Sequence, residues 1–292
     1  MINPRHLTSL LAIAEHGSFS AAGAATGRSH SAISLHIKAL EDNLGTVLID
    51  RAARPARLTP EGDELVQHAR RLLGVLEDIQ SIGRGDALTG RLSVGFVPTA
   101  MAHVAPPALA RLRAQHPGLE IEIRTGLSGE LAQAVRSTEL DGAVLTAPDL
   151  PPEDVVLRPV ADEPLVVIAP DDLGSSDDVE LLSTRPFIWF SRKTWAGQQI
   201  ERRLLDRRIR VRAAMEVDSL EAIEALVRHG LGVSVVPDTG AREDGLVRFP
   251  FGDPQVVRQL VLMARPRGPK LRLLDALHKA LTDAGSGKTS SE

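Results

Sequence analysis

Eight short apolar runs punctuate residues 90–264 and limit the folds open to the chain: "RLSVGFV", "LEIEIRT", "DGAVLTA", "PLVVIAP", "PFIWFS", "RAAMEV", "LGVSVVP" and "RQLVLMA". Each has the length of a strand and most are rich in branched aliphatic residues. Helical stretches separate many of them. Alternation of this kind predicts an open, mostly parallel α/β sheet with ligands at the strand ends. About 200 residues arranged in this way suffice for two lobes.

Before Gly90 the period is helical. Asn3 can cap a first helix with Pro4 in its opening turn, and Leu7, Leu10, Leu11 and Ala14 form its buried stripe. Gly17 suits a left-handed C-terminal cap. Ser18 or Ser20 then starts a short helix through "AAGAATG", which Gly27 stops. Ala21, Ala22 and Ala25 would let this helix lie close to a third one, capped by Ser29. In that third helix Ile33, Ile37, Leu40 and Leu44 share one side, and Ser31, Ser34, Leu35 and Lys38 share the other. Helix, sharp turn and helix make the helix-turn-helix arrangement.

The N-terminal turns of such a helix enter the major groove, so Ser29, His30, Ser31, Ser34, Leu35 and Lys38 are the candidate DNA contacts. A leucine cannot read a donor–acceptor pattern, but it packs on a thymine methyl. His30 can donate to or accept from a base edge, and Lys38, further along the helix, suits a phosphate. Capping alone would also explain Ser29, and contact with a neighbouring side chain would explain Leu35. The segment "DRAARPARL" that follows reads as a small β-wing, with Arg51, Arg54 and Arg57 placed against phosphates. A solvated basic loop is the alternative.

Thr59-Pro60 is a helix start, and Leu65, Ala69, Leu72, Leu76 and Ile79 then step by four, three, four and three. A helix of about 25 residues spans roughly 38 Å. With no globular body of its own to pack on, this seam is predicted to meet the same helix of a second chain. Packing on its own domain is the alternative.

Composition removes several function classes. The chain has 292 residues, with 34 basic against 38 acidic side chains, which excludes a generally basic coat for nucleic acid but not a local patch. It has no cysteine, so disulfides, thiol sensing and cysteine-ligated zinc are ruled out. Only 3% of residues are aromatic and none is tyrosine, which argues against a single-strand surface built on stacking. Neither an export signal nor a long apolar span is apparent, so a cytoplasmic protein is expected. Among enzyme signatures, G-x-S-x-G, G-x-G-x-x-G and the P-loop do not occur, and the nine histidines lack metal-like spacing. The "GSGK" near the end lacks both the spacing and the preceding strand. No catalytic residue, metal or cofactor is expected. An α/β enzyme and an exported binding protein are the rival classes, and the second has no use for residues 1–58.

"EHGSFSAAG", "SAISLHIKALEDNLG", "RLTPEG", "ARRLL", "GRLSVGF", "HPGLEIEI", "LDGAV" and "LVRHGLGVSVVP" occur in that order over about 240 residues. With these the sequence resembles the LysR-type transcriptional regulators along nearly its whole length. The resemblance implies an N-terminal winged helix-turn-helix over residues 1–58 and a dimerising linker helix and hinge over 59–89. It also implies a two-lobed, periplasmic-binding-protein-like effector domain over 90–285. Lobe one would take about 90–160 and 260–285, lobe two about 161–259, and 286–292 would form a disordered tail. Three positions depart from the family's habit: His30 stands where glutamine is usual, Leu35 where arginine or glutamine is frequent, and Thr26 where leucine is expected.

By the same resemblance the effector cleft would be lined by Thr99, Ser128 and Thr146 from lobe one and by Ser191 and Thr194 from lobe two. Arg192 or Lys193 would supply a cation for an anionic ligand, and Trp195 an apolar wall. Helix caps would equally explain Thr99 and Ser128, solvated loop charges Arg192 and Lys193, and a core position Trp195. Asp218 with Glu221 looks like a capping box. The implied partners are double-stranded promoter DNA, a small-molecule effector and further copies of the chain, as a homodimer or homotetramer. RNA polymerase is a further candidate partner.

Overall fold

A computed structural model describes residues 2–51, 53, 56–81, 88–171, 177–240, 244–268 and 270–286. The chain forms two compact units, one built mainly from residues up to 85 and the other mainly from residue 86 onward.

In the first unit α1 (Pro4–His16) begins where Asn3 accepts the Arg5 N–H and ends on left-handed Gly17. α2 (Phe19–Thr26) begins at Ser18, whose hydroxyl accepts the Ala21 N–H, so Ser18 rather than Ser20 is the cap. α3 (His30–Leu44) is capped by Ser29 and closed by Gly45. The close packing of α2 rests on Ala22 and Gly23, while Ala21 and Ala25 are exposed. A Cβ on Gly23 would lie 2.7 Å from the Arg28 carbonyl oxygen, so only glycine lets the turn fold back this tightly. Thr26 at the family's leucine position donates its hydroxyl to the Ala22 carbonyl at 2.8 Å.

β1 (Ile49–Asp50) and β2 (Arg57–Leu58) form a two-residue antiparallel wing, Ile49 opposite Leu58. α4 (Pro60–Ser81) then starts at Thr59, whose hydroxyl accepts the Gly62 N–H and donates to the Val47 carbonyl. The helix is described over 22 residues, and 82–87 lie outside the described residues. The first turns of α4 do have a body to pack on, which corrects the sequence expectation. Val66 and Ala69 are buried with Leu7, Leu10, Ile13, Ile33 and Ile37, and Leu65 and Leu73 lie against the same cluster. Ala69, at 1% exposure, therefore serves its own domain and has no surface left for a second chain. Further along, Leu72, Val75 and Ile79 are exposed, Ile79 at 56%.

In the second unit the chain continues through β3 (Gly90–Phe96), α5 (Pro98–His103), α6 (Ala105–Gln115), β4 (Leu119–Thr125), α7 (Ser128–Arg136) and β5 (Gly142–Thr146). It then runs through β6 (Val156–Pro170), α8 (Asp178–Thr184), β7 (Pro186–Phe190), α9 (Trp195–Asp206), β8 (Arg212–Val217) and α10 (Leu220–Arg228). β9 (Ser234–Pro237), β10 (Leu246–Pro250), β11 (Val257–Ala264) and α11 (Leu271–Ser286) complete it. β3 pairs in parallel with β4 and β5, and β7 with β8. The other strand pairings of this unit are antiparallel: β11 with β5 and β6, and β6 with β9 and β10. The sheet is therefore mixed rather than mostly parallel. The cause is the 15-residue β6, of which only "PLVVIAP" stands out as a strand in sequence; its first half alternates with charged residues.

Two hydrophobic cores flank β6. One joins Leu92, Val94, Phe96, Leu131, Val144, Leu262 and Leu277, the other Val167, Phe187, Ile200, Ile223 and Phe251. β6 serves both: Val160 belongs to the first and Leu165 to the second. Between them Glu163 pairs in register with Arg258 of β11. Ser286 is helical rather than the start of a tail, and residues 287–292 lie outside the described residues.

Candidate functional site

The outer face of α3 is presented to solvent by the packing of its inner face. Ile33 and Ile37 are fully buried, whereas Leu35 is 66% exposed. His30, Ser31 and Lys38 are exposed and Ser34 is half-buried. Leu44 departs from the expected inner side and is exposed at the end of the helix. The Ser29 hydroxyl accepts the Ala32 N–H at 3.2 Å and lies 2.9 Å from Ser31 Oγ, so its cap role is satisfied within the helix. The wing contributes exposed Arg57; Arg51 donates to Glu41 at 3.1 Å with its guanidinium over the Phe19 ring. Arg54 lies outside the described residues. Behind this face His36 stacks on His6, ring centroids 4.6 Å apart, and its Nδ1 lies 2.7 Å from Ser9 Oγ. Burial, together with the nearby His6 and Arg28, lowers the His36 pKa.

The second unit holds a cavity of about 320 Å³, within the range of metabolite pockets. Thr99, Ser128 and Thr146 on the lobe-one side and Thr194 on the lobe-two side line it, as the sequence reading expected. Val97, Leu127, Phe190, Ala196 and Leu220 provide its apolar surface. Ser128 opens α7, and Thr146 ends β5. Both are 3% exposed, and neither hydroxyl is engaged by another described residue. Thr99 sits one residue inside α5 and caps nothing; its hydroxyl accepts from Arg258 Nη2 at 3.0 Å.

Four expected residues are placed elsewhere. Ser191 is buried outside the cavity lining, its hydroxyl donating to Glu216 at 3.4 Å. Arg192 is exposed and occupied: it donates to Glu216 at 2.8 Å and Glu201 at 3.4 Å and lies over the Trp189 ring at 4.9 Å. Those hydrogen bonds raise its pKa and lower that of Glu216. Trp195 opens α9 and packs against the lobe-one core rather than forming a cavity wall. Lys193, the alternative cation, is exposed and outside the lining.

Among the described residues the cation that lines the cavity is Arg258, which the sequence reading missed. It is 1% exposed, and its Nε and Nη2 bond Glu163. Its Nη1 is engaged by no described residue. Because Arg258 lies in the apolar strand "VRQLVLMA" and finds Thr99 159 residues away, local sequence carries little signal for it. On the opposite wall, Ser219 rather than Asp218 caps α10, accepting the Ala222 N–H and donating to Glu221. Glu221 accepts its own N–H and the Ser219 hydroxyl, which hold its carboxyl below the usual range. Asp218, released from the cap, lines the cavity.

The geometry of both units has counterparts among known proteins. The LysR substrate binding domain family matches residues 85–286, and the bacterial regulatory helix-turn-helix family of the lysR type matches residues 4–63. The chain belongs to the LysR family of transcriptional regulators. It is a DNA-binding regulator with an effector-binding domain, and not an enzyme. A protein named a probable hydrogen peroxide-inducible genes activator from Streptomyces viridosporus is 28% identical over 294 residues, covering 95% of this chain and 93% of the relative. The RuBisCO operon transcriptional regulator of Allochromatium vinosum is 30% identical, covering 80% of this chain and 79% of the relative. Among solved structures, a full-length OxyR variant from Pseudomonas aeruginosa superposes with a TM-score of 0.76 at 25% identity, covering 96% of this chain and 95% of that one. CbnR complexed with its target DNA shares the fold at a TM-score of 0.65 and 22% identity, covering 97% of this chain and 99% of that one. LysR regulators bind promoter DNA and small-molecule effectors and form oligomers. Among the described residues no helix is long and apolar enough to cross a membrane.

Proposed function

We propose that this chain is a cytoplasmic regulator that reads promoter DNA through His30, Ser31, Ser34, Leu35 and Lys38, with Ser29 shaping the helix start. Arg57 and Arg51 lie along the phosphates. A carboxylate-bearing small molecule enters the cavity between the lobes and is held by Thr99, Ser128, Thr146 and Arg258. The observation that carries this reading is the pair of nearly buried residues Ser128 and Thr146, which line the cavity and whose hydroxyls have no described partner. Hydroxyls that open only onto a cavity and bond no other side chain are available to a ligand or to ordered water.

Leu72, Val75, Leu76 and Ile79 of α4 form the dimer seam, and the homodimer or homotetramer pairs the DNA-binding domains. The ligand shifts the balance between two lobe arrangements and so the spacing of the paired domains, which changes contacts with RNA polymerase. The peroxide response in the name of one relative does not carry over through thiol chemistry, because this chain has no cysteine.

A gel shift with the DNA upstream of the chain's own gene tests the DNA-binding reading. Retardation that survives excess nonspecific competitor is expected. Equal competition by both DNAs would overturn it.

A further inference from the structure

The two walls of the cavity differ in charge. On one wall stand the Arg258 guanidinium, from the β6–β11 pairing between the two cores and with Nη1 unengaged, and the lobe-one hydroxyls of Thr99, Ser128 and Thr146. All four side chains are more than nine-tenths buried. These are donors, grouped as a carboxylate requires. Glu163 lies behind Arg258 and already balances its charge, so the wall suits a single carboxylate and not a dianion.

The lobe-two wall is acidic. Asp218 lines the cavity and its carboxylate is engaged by no described residue, Ser219 having taken the helix cap. Glu221 lines it too, held ionised by its own N–H and Ser219, with His103 adding to this. Two carboxylates here repel a second anionic group on the ligand and attract a cation. Val97, Leu127, Phe190, Ala196 and Leu220 also line the cavity and give it apolar surface for a side chain.

Resting on the cavity reading above, we propose that the effector is a small zwitterion of the amino-acid type with an apolar side chain. Its carboxylate is bound by Arg258, Thr99, Ser128 and Thr146, and its ammonium by Asp218 and Glu221. Because the cation and the carboxylates come from different elements of the cavity lining, β11 and the start of α10, only a ligand carrying both charges engages both. A simple acid engages one wall and leaves the carboxylates of Asp218 and Glu221 without a cation.

The test uses the full chain and calorimetric titration with the proteinogenic amino acids. For each one that binds, the matching 2-oxo acid and the matching decarboxylated amine are titrated as well. Binding of at least one apolar amino acid is expected, roughly tenfold tighter than its 2-oxo acid or its amine, the size of effect that a positioned charge pair supplies. Asp218→Asn combined with Glu221→Gln should bring the amino acid and the oxo acid to within about threefold of each other, a loss of the pair's discrimination. Asp218→Asn alone, at an exposed position, repeats this in part if the double variant folds poorly. A 2-oxo acid that binds wild type as tightly as its amino acid, with binding lost in Ser128→Ala, would overturn the zwitterion while leaving the cavity reading intact. The absence of binding by every amino acid overturns the zwitterion too. Binding unchanged by both Ser128→Ala and Thr146→Val would overturn the cavity reading itself.

Discussion

α3 and the ligand cavity place their chemistry by opposite means. On α3 one helical period turns Ile33, Ile37 and Leu40 inward and Leu35 and Lys38 outward, so 15 consecutive residues define both faces. The cavity assembles Thr99, Ser128, Thr146, Thr194, Asp218 and Arg258 from six separate places in the chain. A face written within one element can change residue by residue without disturbing the fold. A cavity assembled across two lobes is tied to the core through its buried polar groups.

The largest expected effect tests that contrast at its buried end. Arg258→Met leaves Glu163 as an uncompensated buried charge and should cost about 3–5 kcal/mol of stability in chemical denaturation. Arg192→Met, at an exposed pair, should leave the midpoint nearly unchanged. Similar losses for the two would erase the distinction between an anchoring and a decorative arginine.

Within α3 the two faces should separate in the same way. Ile37→Ala should cost about 2–5 kcal/mol. Leu35→Ala should stay within about 0.5 kcal/mol of wild type, as surface changes generally do. Equal losses would place Leu35 in the core. On the wing, Arg57→Ala should weaken binding to all sequences alike and reduce the salt slope by about one. An unchanged slope would take Arg57 out of the phosphate contacts.

The smallest effect concerns pH. With its pKa lowered by burial, His36 binds a proton more readily in the unfolded chain than in the folded one. Stability of the N-terminal domain is therefore intact above the ordinary value of 6.5 and falls as pH is lowered through it toward the depressed folded value. Thermal melts at about pH 7.5 and about pH 5.5, on either side of the ordinary histidine range, should show this decline in wild type and a shallower one in His36→Gln. Identical declines would contradict the assignment.

Legibility followed the same division. The caps at Asn3, Ser29 and Thr59, the buried stripe of α3 and the wing's position are all encoded within a few residues of where they act. The strands at 119–125 and 212–217 are found at the bounds their sequences suggest. β10 and the first half of β6 escaped because charged and proline residues interrupt their apolar pattern; their strand state comes from pairing with distant partners. The seam of α4 ran through Ala69 in sequence, but its first turns are claimed by α1 and α3, which periodicity alone cannot reveal.

In the cavity, hydroxyl positions were legible through family resemblance, while the choice of cation was not. Arg192 stands in a loop well suited by sequence to a ligand contact, yet Glu216 and Glu201 reach it first. Arg258 stands in a strand that reads as core, and only the sheet register brings it to Glu163 and Thr99. Asp218 and Ser219 are adjacent and both able to cap; the backbone chose Ser219 and freed Asp218 for the cavity.

The claim that the exposed face of α3 reads sequence is tested most directly by binding-site selection from random DNA with wild type and Leu35→Ala. The expected result is a consensus relaxed at one base pair, a thymine contact, with nonspecific affinity nearly unchanged. A consensus identical to that of wild type would contradict it.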